Sequence, residues 1–156
     1  LTGIPKFRRF GGYTAYVEGW GLYCEFIPKE MGLYANPYSN YGRLAMELWR
    51  ACRLVVDTGI HLKKWTREEG IEYYTKNTSG TEREIRRMVE RHIVMPSQAT
   101  AYKIGMLKIL ELRSIAKEKM GDQFDIREFH DVVLTSGAVP LDVLENLVND
   151  YIASKS

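Results

Sequence analysis

Cysteine, histidine and proline are all scarce in this 156-residue chain, at two, three and five residues. Cys24 and Cys52 have no C-x-x-C or other metal spacing, which excludes a zinc-ribbon or disulfide-scaffold fold. Both lie in helical patterns and read as buried free thiols, with one disulfide between them left open. His61, His92 and His130 are far apart, and none is followed by glutamate. The chain therefore carries no complete zinc-binding helix of its own. It also lacks Gly-x-Ser-x-Gly and any phosphate-binding glycine loop. No apolar run approaches the roughly twenty residues that span a bilayer. The net charge is +2, too small to argue for nucleic acid. The densest basic stretch, Arg83 to Arg91, is interleaved with Glu82, Glu84 and Glu90, the pattern of a solvated helix face with i,i+4 pairs. The chain opens at Leu1, so no conclusion about export follows.

What is present is a balance of 45% hydrophobic and 27% charged residues, ordinary for one globular domain. Ten tyrosines and three tryptophans cluster mainly between Tyr13 and Tyr74, marking the half that carries packed surfaces and any site. Leu1 to Phe10 reads as a lead-in segment. Tyr13 to Met31 has apolar residues at helical spacing, with Pro28 kinking or ending the helix. A turn at Gly32 to Pro37 precedes a long helix to about Trp65, whose apolar face is expected at Leu44, Leu48, Cys52, Val55 and Gly59. Thr66 with Glu69 and Thr81 with Glu84 have the form of capping boxes, opening helices that run to about Lys76 and to just before Pro96. Ser97 is expected to cap a helix over Gln98 to Met120, closed by Gly121. Helices over Asp125 to Thr135 and Pro140 to Ser154 complete the chain. No alternating strand pattern or internal repeat is present. The fold class is all-α, a multi-helix arrangement in mostly antiparallel packing.

Three constellations could carry chemistry. Glu18 sits among aromatics and glycines in Tyr16-Val17-Glu18-Gly19-Trp20, where a carboxylate needs an ion-pair partner, a hydrogen bond or a metal. By composition alone, pairing with an arginine of a neighbouring helix is the favoured reading, and Glu25 is the rival carboxylate two turns on. Arg53, Asp57 and His61 share one face of the long helix at steps of four. Asp57 could fix the His61 ring and Arg53 could pair with Asp57, or all three could form a surface ion ladder. Arg50 and Glu47 extend that stripe. Tyr102 and Lys103 lie near a helix N-terminus, where they could stabilise an oxyanion, or the phenol could be a satisfied core group. His92 and His130 read as structural.

The blocks Tyr16 to Tyr23, Tyr41 to Leu44, Glu47 to Ala51, Val56 to His61 with Trp65, Gln98 to Gly105, Phe124 to His130 and Gly137 to Leu141 resemble, in order, a bacterial family catalogued as domain of unknown function 885. Gly21 and Cys24 stand where the family pattern has alanine, and Ser97 where it has glycine. The resemblance implies a larger, helical, zinc metallopeptidase-like fold, of which this chain is the C-terminal portion. It implies an upstream His-Glu helix holding most of the metal, and the N-terminal remainder of the same protein as a packing partner. Glu18 then becomes the third zinc ligand. Tyr102 and His61 become oxyanion or substrate donors in hydrolysis of a peptide substrate, with Arg53 and Asp57 as support for His61. The competing expectation is a non-catalytic helical module that binds a peptide or protein.

Overall fold

The computed structural model describes residues 3–155, with Arg9 described by its backbone alone. Leu1 and Thr2 of the lead-in lie outside the described residues. Among the described residues the chain forms eight α-helices and no strand: α1 (Lys6–Phe10), α2 (Thr14–Glu30), α3 (Pro37–Lys63), α4 (Arg67–Asn77), α5 (Glu82–Val94), α6 (Gln98–Met120), α7 (Ile126–Thr135) and α8 (Leu141–Lys155). One 3-10 turn, Gly121–Gln123, follows α6. The lead-in thus holds a short helix, α1, that composition did not suggest. Pro28 lies two residues before the end of α2.

Local chemistry sets most of the ends. Asn36 caps α3, its side chain accepting from the Tyr38 N–H at 2.8 Å. Both capping boxes are complete: Thr66 and Glu69 exchange bonds at the start of α4, and Thr81 and Glu84 at the start of α5. Such a cap is worth about 1 kcal/mol. Asp125 caps α7 through the Arg127 N–H.

The main apolar core lies between α2, α6, α7 and α8, with Tyr23, Ile109, Phe129, Val133, Leu144 and Val148 fully enclosed. Each such side chain contributes about 1.5–3 kcal/mol through removal from water. At its centre α2 crosses α6 backbone to backbone. A Cβ at Gly19 would overlap the Gly105 backbone, and one at Gly105 would overlap the Ala15 carbonyl oxygen. Only glycine allows two helices to approach this closely.

Partners rise together along this pair, from Glu18 with Gln98 to Glu30 with Arg113, so α2 and α6 run parallel. That departs from the expected antiparallel neighbours, because α3, α4 and α5 intervene and return the chain. Antiparallel packing holds elsewhere: α3 meets α6 with Glu47 opposite Lys103 and Asp57 opposite Ser97.

A smaller core of Cys52, Val56, Tyr74, Ile85 and Val89 joins α3 to α4 and α5. The Trp65 ring lies on Gly59, and the Trp49 ring on Gly80. The expected apolar face of α3 is corrected here. Leu44 and Leu48 are about half exposed, while the buried positions include Arg43, Arg53 and Asp57. The reason is that α3 serves two neighbours. Cys52, Val56 and Gly59 turn to the α4–α5 side, and Arg53 and Asp57 turn to α6. Cys24 is exposed and Cys52 buried, and both are free thiols, so the expected burial holds for Cys52 alone.

Candidate functional site

The first turn of α6 gathers polar side chains from three helices. Ser97 precedes it with φ 65° and ψ −12°, the left-handed region that costs a serine about 1 kcal/mol or more. Its side chain makes no capping bond, contrary to expectation. Instead its backbone N–H donates to Asp57 Oδ1 at 3.1 Å, so a carboxylate of α3 holds the strained residue in place. The glycine expected at this position would take the same backbone shape without strain.

Gln98, next in the chain, is the hub. Its Oε1 accepts from Arg53 Nη2 at 3.2 Å. Its Nε2 donates to Tyr102 Oη at 3.3 Å and reaches Glu18 Oε1 at 3.5 Å. The Arg53 guanidinium lies over the Tyr102 ring, 4.3 Å from its centre, and fixes the ring's plane by a cation–π contact. Because the Tyr102 oxygen accepts from Gln98, its own O–H is left to donate elsewhere. Glu18, Tyr102 and Arg53 are thus brought together, with the glycine crossing of α2 and α6 setting the closeness of Glu18. Gln98 was not singled out by sequence reasoning. It is uncharged, and its signals in the sequence are its place as first residue of a helix after Pro96 and as first residue of the block Gln98 to Gly105.

Asp57 and Arg53 are both almost wholly buried, yet Asp57 Oδ2 and Arg53 Nε have no hydrogen-bond partner among the described residues. The two side chains form no ion pair with each other among the described residues, unlike the pairing sequence spacing suggested. Each unpaired buried polar atom costs about 1–3 kcal/mol.

His61 lies apart. It is exposed at the end of α3, and its Nε2–H donates to the His92 backbone carbonyl at 2.8 Å. That bond places the ring proton on Nε2 and leaves Nδ1 free. Asp57 therefore does not hold the His61 ring; its partner is Ser97. His92 is buried, its Nε2 2.9 Å from Tyr74 Oη. Burial first, and the Arg53 charge second, push the His92 imidazole down to about 4, so it is neutral at pH 7. His130 packs edge-on to Trp20, with Nε2 2.8 Å from Tyr23 Oη. His92 is a core group, and His130 is half-buried against the rings of Trp20 and Tyr23.

The remaining carboxylates are committed. Glu25 pairs with Arg50 at 3.0 Å. Glu47 pairs with Arg43 at 2.7 Å and Lys103 at 2.6 Å. Burial works against the Glu47 charge, but the bonds and charges of Lys103 and Arg43 outweigh it and hold the carboxyl below its usual range. Glu18 alone in this neighbourhood is half-buried with no ion pair among the described residues; its partner is a glutamine amide rather than an arginine. Lys103 is likewise engaged by Glu47. No group of three His, Cys, Asp or Glu able to hold a metal is present among the described residues. A zinc site takes three or four protein ligands. Glu18 fits as one ligand, and this chain's own residues do not supply a full set.

Among the described residues no helix is long and apolar enough to cross a membrane. A family model described as "Bacterial protein of unknown function (DUF885)" matches residues 1–148. A solved structure, "The crystal structure of the putative lipoprotein from Colwellia psychrerythraea", is similar at 51% identity and a TM-score of 0.93. The match covers 96% of this chain and 26% of that one, so this chain spans about a quarter of that protein's length. No curated protein matches the sequence.

Proposed function

This chain belongs to the bacterial family DUF885, and from that premise we propose that it forms one wall of a zinc-dependent peptide-hydrolysing site. The observation that carries the reading is the convergence of Glu18, Gln98, Tyr102 and Arg53 at the start of α6. In this reading Glu18 contributes one carboxylate to a metal whose other ligands lie outside these 156 residues. A bound zinc would polarise a peptide carbonyl and acidify a water.

This chain's own residues then have defined tasks. Gln98 orients the Glu18 carboxylate and occupies the acceptor side of Tyr102. The free Tyr102 O–H donates to charge that develops on the substrate oxygen. Arg53 holds the phenol ring from turning and adds positive charge behind it. Asp57, through the Ser97 N–H, fixes where α6 begins and so where Gln98 and Tyr102 stand. His61 can join only through Nδ1, since its Nε2–H is held by the His92 carbonyl.

The test is the zinc content of the whole gene product beside its Glu18→Ala variant. About one zinc per chain, lost or sharply reduced in the variant, is the expected result. A Tyr102→Phe variant is expected to keep its zinc and to hydrolyse peptide roughly a hundred- to a thousandfold more slowly. A cleft of about 1170 Å³ between the first half of α3, the turn after α4 and α5 favours a second reading, a module that binds a peptide or protein without catalysis. Well-folded gene product that takes up no zinc on incubation with the metal would leave that second reading standing.

A further inference from the structure

A cleft of about 1170 Å³ lies between the first half of α3, the turn after α4, and α5. One wall is apolar: Tyr41, Leu44 and Leu48, each about half or more exposed. The facing wall carries Arg83, Arg87 and Arg91 at steps of four along α5. Helical rise sets these three positions about 6 Å apart along the axis, over about 12 Å.

The arginines of this stretch divide in two. Arg86 pairs with Glu82, and Arg67 of α4 takes Glu90. Glu84, which also lines the cleft, is bound to Thr81 in the capping box. All three acidic residues of α5 are thus engaged elsewhere. Among the described residues Arg83, Arg87 and Arg91 form no ion pair and no side-chain hydrogen bond. The expected ladder of i,i+4 pairs holds for Arg86 alone.

We propose that this cleft is a docking groove for an acidic amphipathic helix of a partner protein. Two or three turns of such a helix would lay an apolar stripe on Tyr41, Leu44 and Leu48. Carboxylates at i, i+4 and i+8 along its flank would meet Arg83, Arg87 and Arg91. Apolar anchors in a groove give affinity, and facing charges give orientation and choice of partner. The apolar wall separates this ligand from a nucleic acid, whose backbone would leave Tyr41, Leu44 and Leu48 uncovered. The proposal rests on neither Glu18 nor zinc.

The experiment uses two labelled helical peptides of about three turns, identical in their leucine stripe. One has glutamate and the other lysine at the three flanking positions. Binding is followed by fluorescence anisotropy at about 0.15 M salt. The glutamate peptide is expected to bind about tenfold or more tightly than the lysine peptide. A triple variant, Arg83→Glu, Arg87→Glu and Arg91→Glu, is expected to reverse that preference. A Leu44→Ser, Leu48→Ser variant is expected to lose both peptides while keeping its helical circular dichroism. A preference unchanged by the charge reversal overturns the proposal, as does no binding of either peptide. Tighter binding of a single-stranded oligonucleotide than of the glutamate peptide overturns it in favour of a phosphate ligand. A salt-sensitive dimer in sedimentation that disappears in the triple variant overturns it in favour of a second copy of this chain.

Discussion

Where α2 crosses α6, two glycines bring backbones into contact and the buried residues around them are apolar, apart from tyrosine hydroxyls that find partners. Where α3 meets α5 and α6, the buried set includes Arg53, Asp57 and His92, and two of its polar atoms have no partner. The first region is organised for close packing. The second keeps charge in a place where stability alone would have put a hydrocarbon. Because the two share α6, the close crossing serves as the reference surface against which the costly polar groups are held.

The sharpest way to break this contrast is at the crossing. Gly105→Ala is expected to lower stability by about 3 kcal/mol, since the new methyl meets the backbone of α2 rather than a yielding side chain. Gly21→Ala is the matched control on α2, with open space around its Cβ. It is expected to gain up to about 1 kcal/mol from helix propensity. Urea midpoints of the two variants give the comparison directly. Equal effects would mean that the crossing is not close-packed in solution.

Acid tests the polar region. An ordinary histidine titrates near 6.5, and burial holds His92 near 4. Unfolded chain therefore binds the proton more readily between those values. The stability tied to neutral His92 is complete above about pH 6.5 and is lost as pH falls toward 4. Its full size is about 3 kcal/mol. His92→Gln is expected to flatten the stability profile across that window, whatever its effect at neutral pH. A slope equal to that of the parent would show that the imidazole is not the buried group that matters.

The smallest effect is expected at Asp57→Asn. The amide oxygen can still accept from the Ser97 N–H, while the charge on the unpartnered Oδ2 is gone. Stability is expected to hold or to rise by about 1 kcal/mol. A loss of several kcal/mol would mean that the carboxylate charge is compensated after all, and the contrast between the two regions would narrow.

Sequence periodicity and capping chemistry anticipated seven of the helices, because a capping box or a terminal glycine acts within a few residues. The short α1 was missed, hidden in a basic segment with little periodicity. The apolar face of α3 was misplaced because a helix with two neighbours buries two stripes, and one of these is polar. Glu18, Tyr102 and Arg53 were legible as odd residues in helical settings, and they do meet. His61 shares the register of Arg53 and Asp57 along α3, but it turns to α5, where a backbone carbonyl claims its ring. Gln98 stood in the block Gln98 to Gly105 but its role was hidden for a physical reason: an amide signals nothing by charge, and its importance lies in four groups that meet only after folding. The bond between Asp57 and Ser97 was equally hidden, since one of its ends is a backbone N–H.

The parallel crossing of α2 and α6 also governs the order in which the chain can assemble. Gly19 and Gly105 stand far apart in sequence, with α3, α4 and α5 between them. Closing so long a loop is slow from an open chain, because its entropy is lost before the contact returns anything. Folding of the α3–α4–α5 hairpins shortens the span that must close. The region that carries the unpaired charges is thus expected to be the early scaffold in time, and the tightly packed crossing the step that completes the fold.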